Sequence, residues 1–307
     1  MYLNSAWRRC SERFDEVNLF IDASSGLART AAAPSFRSDL YGSWVLMAYA
    51  ACQFSLVEIG RGTMAFLGQK YKHPASMPGN VLRAHEKMTL DGIRRLVEGD
   101  AKSQALVRQT LKDIYSSNWS TTSKLLKMDR NVWPNNVKEW LKRLGVEDSE
   151  MSWMKDTTPG TSETYESRMA ELVEERNPIA HGQSPSQLLT AQLMKDWLGE
   201  CREFMERCAM TVEWRLAIDH KPRLRTAGSV DKALVLGNKT VPIVQLSLPL
   251  RVGDHVLLAS AGQRKKVARV EALYSNMASY QELPAGHQAV AVGLSKTHQA
   301  CGIFLVP

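Results

Sequence analysis

Hydrophobic positions along this chain fall into two regimes with different periods. Up to about Asp219 they recur every three or four residues over long segments, the spacing of helices buried along one face. The pattern predicts a long helix over residues 38–68, a shorter one over 106–116 and another over 163–173. A helical pair is expected in "STTSKLLKM" and "NNVKEWLKRLG". A last helix opens at "SPSQLL", with Ser184 as its N-cap and Pro185 in the first turn, where a missing N–H costs nothing. Its stripe of Leu189, Leu193, Trp197, Cys201, Phe204 and Cys208 is wide enough to bury. After "DHKPRLRTAGS", read as a linker, the period changes. Short apolar runs follow ("ALVL", "VPIVQLSL", "HVLLA", "AVAVGL"), separated by Gly, Pro and Asn as strands of a small barrel would be. The expected fold is multidomain, α then β: a helical bundle over residues 1–220 and a small all-β barrel over 221–307.

Composition and charge add to this picture. Of 307 residues, 44% are apolar, enough for real cores, so wholesale disorder is excluded. The net charge of +7 is unevenly placed. From Lys221 onward the chain carries 11 basic and 4 acidic residues, whereas the first 220 carry 28 of each. A basic C-terminal module facing a polyanion such as RNA follows, with a merely solvated basic surface as the alternative. Its segment Arg264, Lys265, Lys266 and Arg269 offers phosphate contacts, or else an exposed hairpin tip without a partner. The five cysteines are odd in number and lack C-x-x-C spacing, so neither a disulfide framework nor a zinc site is expected. Reduced thiols in a cytoplasm fit best, with Cys201 and Cys208 as core residues and not metal ligands. Arg8, Arg9 and Arg13 interrupt any secretory signal at the start of the chain. The longest uncharged stretch, residues 40–57, contains Gly42, Ser43, Gln53 and Ser55, and reads as a buried core helix with no membrane partner. A G-x-x-x-x-G-K-[ST] loop is absent, so nucleotide hydrolysis is not expected, and no cofactor is implied.

One stretch carries chemistry: "EERNPIAHGQSPSQLL", Glu174 to Leu189. On a helix Asn177 and His181 share a face, whereas Arg176 and His181 would stand about 140° apart. Pro178 removes a donor and biases Asn177 away from helical geometry, so a kink is expected to swing the two side chains together. A histidine exchanges protons near neutral pH, an arginine grips phosphate with a planar pair of donors, and an asparagine fixes a tautomer or holds a phosphate oxygen. The bland alternative is a helix end at which His181 complements the dipole and Arg176 lies on the surface.

"LVEERNPIAHG" resembles the R-N-x-x-x-H signature of HEPN domains, α-helical RNase modules of toxins and antiviral systems, and looks most like the branch with R-N-x-I-A-H-G. "SWVLMAYAACQFSLVEIGRGTMAFL" looks like that branch's first long helix, and the likeness spans roughly residues 36–216. It implies that Arg176, Asn177 and His181 are catalytic and that the motif helices of two protomers face each other across one cleft. Where the family's first helix often carries an acidic residue, this chain has Gln53, with Glu58 as a substitute nearby. The tail "RVGDHV", a basic strand, "PAGHQAVAVGL" and "GIFLVP" resemble the second domain of translational GTPases such as elongation factor Tu. Together the resemblances imply a metal-independent endoribonuclease, homodimeric, steered to tRNA or the ribosome. It would act as a toxin or antiviral effector, with an antitoxin or defence partner. The alternative is a non-catalytic RNA-binding adaptor that dimerises through its helices.

Overall fold

The computed structural model describes residues 2–30, 34–71, 131–219 except 186 and 187, most of 225–305, and scattered positions between 76 and 112. The chain forms two compact units, Ala6–Ala209 and a second made of Met1–Ser5 with Met210–Pro307. Helices come first and an antiparallel strand region follows, as the change of period predicts.

Helix α1 (Tyr2–Thr30), which lies in the first unit from Ala6 onward, is not among the expected helices. Its buried Trp7, Cys10, Phe14, Val17 and Ile21 repeat at alternating steps of three and four, a helical signal interleaved with Arg8, Arg9, Glu12 and Arg13. Helix α2 (Pro34–Lys70) contains the expected 38–68 segment. By length and composition alone it could cross a membrane. It buries Tyr41, Trp44, Val45, Ala48, Cys52, Leu56 and Ile59 among its neighbours, and Trp44 Nε1 donates to Ser24 Oγ of α1 at 2.8 Å. Helix α3 (Pro134–Arg143) places proline in its first turn and buries Val137, Trp140 and Leu141. A 3-10 helix (Asp148–Lys155) precedes α4 (Tyr165–Ala180), and α5 (Ala191–Asp219) closes the helical sequence.

Three expectations need correction. Helix α5 starts not at Ser184 but after Thr190, whose hydroxyl accepts from Leu193 N–H at 3.2 Å while Ser184 and Pro185 lie in irregular chain. Its buried face runs through Met194, Leu198, Cys201, Met205 and Cys208, and leaves Leu193 52% exposed. Met194 takes the inward position because a step of three back from Cys201 reaches Leu198, and a step of four from there reaches Met194. "DHKPRLRTAGS" is only partly a linker, because Arg225, Thr226 and Gly228 already pair with Leu305, Phe304 and Ile303 in a ladder. Apart from Arg108 and Lys112, which are helical, the 106–116 helix lies outside the described residues, as does "STTSKLLKM".

The second unit holds β1 (Arg225–Leu236), β2 (Lys239–Leu246), β3 (Leu250–Arg251), β4 (His255–Ala259), β5 (Lys266–Ser275), β6 (Ala278–Tyr280), β7 (Glu282–Leu283), β8 (Val290–Leu294) and β9 (Gly302–Leu305). The pairings run β4-β9-β1-β2-β8-β5, and β4 pairs back to β5, so the ladder closes into a small barrel and leaves no edge within that ring. Alternation supplies its core: in β8, Val290, Val292 and Leu294 point inward, where they meet Val244, Leu258 and Val270. Inside the same unit His255 is fully buried, with Nδ1 2.6 Å from Glu213 Oε2. The backbone of His255 exchanges two hydrogen bonds with the Asn4 side chain, which ties the first turn of α1 to β4.

Candidate functional site

Helix α4 begins at Thr164, whose hydroxyl accepts from Ser167 N–H while Ser167 reaches back to the Thr164 backbone, a capping box. Tyr165, Met169, Leu172 and Val173 bury one face, and the helix then runs on through Arg176, Asn177 and Pro178. The expected displacement of Asn177 does not occur. Pro178 withdraws one backbone donor, but the packed turns on its N-terminal side hold the segment helical to Ala180. The stop comes at Gly182, with φ of +78°. Gly182 N–H donates to Ile179 O and Gln183 N–H to Pro178 O, each at 3.0 Å, which makes a Schellman cap. His181 is the C-cap, exposed, and no described residue bonds its ring. His181 thus closes the helix and presents its imidazole to solvent.

The approach of α4 to α2 depends on Gly42, where a Cβ would lie 3.2 Å from Ile179 Cγ2. This contact brings the motif against the polar side chains of α2. The Arg176 guanidinium lies over the Tyr49 ring, 4.7 Å from its centroid. Arg176 Nη1 donates to Asn177 Oδ1 at 3.3 Å, and Asn131 Nδ2 donates to the same oxygen at 3.2 Å. The Tyr49 hydroxyl donates to Asn131 Oδ1 at 3.2 Å and accepts from Gln53 Nε2 at 3.2 Å and Val132 N–H at 3.3 Å. Burial raises the Tyr49 hydroxyl above its ordinary value, against the Val132 N–H and the Arg176 charge, so it stays a donor at neutral pH. Arg176 Nε is buried with no hydrogen-bond partner among the described residues. Arg176 and Asn177 are therefore brought together, while His181 stands apart from both, one turn along from Asn177.

A family model described as RiboL-PSP-HEPN matches residues 8–209. The chain belongs to this HEPN family. The family is generally composed of RNases or RNA-related proteins, and HEPN domains are commonly endoribonucleases. A comparison with curated proteins found no significant match.

In this HEPN domain Tyr49 and Asn131 enter the site without having stood out in the sequence. Tyr49 lies four residues before Gln53, a spacing that signals a shared helix face, but nothing local marks Asn131. Gln53 occupies the site through Tyr49. Glu58 does not substitute for it, because its oxygens are taken by Arg9 and Arg61, each at 2.7 Å. Burial would raise the Glu58 carboxyl, but the two guanidiniums outweigh it and hold the group below its ordinary value. On the barrel, Arg269 donates its backbone N–H to Ser295 Oγ at 2.8 Å, and its guanidinium lies 3.7 Å from Glu271. Lys266 opens β5, whereas Arg264 and Lys265 lie outside the described residues. Among the described residues no group of three or more His, Cys, Asp or Glu is placed to hold a metal. Cys201 and Cys208 are buried in the helical core, where desolvation pushes the Cys208 thiol up.

Proposed function

We propose that this chain is an endoribonuclease that cuts RNA by metal-independent transesterification, with Arg176, Asn177 and His181 as its catalytic residues. The observation that carries the reading is that Arg176 and Asn177 are joined near the end of a helix whose C-cap, His181, is exposed. Arg176 and Asn177 hold a phosphodiester through N–H donors. His181 takes the 2′-hydroxyl proton as that oxygen attacks phosphorus, or protonates the departing 5′-oxygen. One imidazole serves one of these steps at a time, and a second copy of the motif supplies the other, which favours a homodimer with a composite cleft.

The basic barrel is the targeting module of this proposal. Its closed strand order and its likeness to the second domain of elongation factor Tu favour tRNA or the ribosome as the docking partner. Arrest of translation by a cytoplasmic toxin or antiviral effector, held in check by an antitoxin or other defence partner, is the biological role that fits. A second reading, an RNA-binding adaptor without catalysis, draws on one feature: no described residue orients the His181 ring.

Purified wild type should cleave RNA in EDTA, leaving 2′,3′-cyclic phosphate ends. His181→Ala should lose about 10²–10⁴-fold in rate while keeping its fold. Arg176→Lys should fail comparably, since a point charge does not replace a planar pair of donors. Cleavage that stops with EDTA, or that survives in His181→Ala, sinks the mechanism. RNA binding with no cleavage by the wild type selects the adaptor reading.

A further inference from the structure

Resting on the proposed reading, we infer that Tyr49 and Asn131 are positioning residues that fix the hydrogen-bond polarity of Asn177, so that Asn177 meets RNA only as a donor to a phosphodiester oxygen. The polarity starts at the Tyr49 hydroxyl. It accepts from Val132 N–H and from Gln53 Nε2, which occupies both lone pairs, so its single proton must be given away. That proton goes to Asn131 Oδ1 at 3.2 Å. With its oxygen engaged, Asn131 offers Nδ2 on its other side, and the bond to Asn177 at 3.2 Å therefore ends on Oδ1. The Asn131 backbone is itself held, since its carbonyl accepts from Asn136 Nδ2 at 2.8 Å.

Asn177 Oδ1 receives a second bond from Arg176 Nη1 at 3.3 Å, which uses its remaining lone pair. The group left over is Asn177 Nδ2, which bonds no described residue. Beside the amide stands the Arg176 guanidinium, which reaches Asn177 through Nη1 and keeps its Nε buried. An amide that shows only N–H groups beside a guanidinium is a donor-only surface, matched to the non-bridging oxygens of one phosphate. It has no acceptor left for an imidazole N–H. Of the two roles open to this asparagine, orienting the histidine or holding the phosphate, the relay selects the second.

Asn131→Asp tests the relay in the full-length protein. The change removes the donor facing Asn177 and puts a carboxylate there, so the Asn177 amide turns over and shows its oxygen to the RNA. The probe is a short RNA with 2′-deoxy substitutions, which binds and is not cut. Its affinity should fall about tenfold, what one hydrogen bond to a charged group is worth, with an unchanged melting temperature. Tyr49→Phe, which keeps the ring under Arg176 and removes only the hydroxyl, should show a smaller loss in the same direction. A purely structural role is separated by a double-mutant cycle: in an Asn177→Ala background, Asn131→Asp should cost nothing further. The Asn177 side-chain amide resonances should also shift on adding the oligonucleotide to wild type and not to Asn131→Asp. An undiminished effect in the Asn177→Ala background, wild-type affinity in Asn131→Asp, or no Asn177 amide shift in wild type overturns the inference. If the wild type cuts no RNA, the cleavage reading falls by itself, and the binding cycle and amide shifts still decide this one.

Discussion

Glu175, next to Arg176, has its Oε1 buried without a hydrogen-bond partner among the described residues. Burial raises its carboxyl above the ordinary value of 4.5, and the hydrogen bond with Tyr41 offsets only part of this. The folded chain thus keeps a proton at a pH where the unfolded chain has already lost it. Stability must therefore fall as pH rises through the window just above 4.5, because the unfolded state there binds fewer protons. Glu175→Gln should flatten that decline, which urea midpoints measured from mildly acidic to neutral pH would show. An unchanged slope would mean that Glu175 ionises in the folded chain without penalty. At this scale the sequence was informative about identity and silent about state. "RNPIAH" shows which groups are available, but the orphaned Arg176 Nε and the half-satisfied Glu175 depend on what α2 places against them.

At the scale of elements, the motif is built by two glycines with different tasks. Gly182 takes a left-handed conformation that costs an L side chain roughly 1–2 kcal/mol. Gly182→Ala should destabilise the chain by about that amount in denaturant unfolding. It should lower cleavage by more than the lost stability explains, because His181 is held only by this cap. Equal losses in both would mean that the cap has no part in placing the histidine. Gly42 instead provides room, letting α4 close on α2 at Ile179. The helices over residues 38–68 and 163–173 are legible from period alone, whereas α1 is not, since its charged residues interrupt the apolar ones. The start of α5 is misplaced by sequence reading because both Ser184 and Thr190 are competent caps. Which of them serves is decided by the face that Met194 and Leu198 bury.

On the scale of the whole molecule, two copies are expected to act together and the barrel to steer them. Mixing His181→Ala protomers into wild type should lower activity faster than dilution predicts, read by titrating the variant at constant total protein. A fully active monomer in sedimentation would exclude the composite cleft. Replacing Arg264, Lys265 and Lys266 by serine should reduce the slope of log affinity against log salt by roughly two, as three lost contacts to single-stranded phosphate would. Cleavage of a short generic RNA should be nearly unaffected. These substitutions are a cleaner test than truncation, since Met1–Ser5 and the last turns of α5 belong to the same compact unit as the strands. A salt slope equal to wild type would remove this basic segment from the RNA contact.

Periodicity and composition by themselves determined that helices precede strands, where the basic charge lies, and which short motif sets an arginine, an amide and an imidazole close together in sequence, because each is a property of neighbours along the chain. Contacts distant in sequence were decided by the tertiary structure alone. Arg176 finds the Tyr49 ring across two helices, and Asn131 reaches Asn177 from a connection 46 residues away. His255 is buried against Glu213 and Asn4, the latter 251 positions earlier. No local pattern encodes such pairs. A hydrogen bond needs only a donor and an acceptor within about 3 Å, and it is the packing of apolar faces that brings them there.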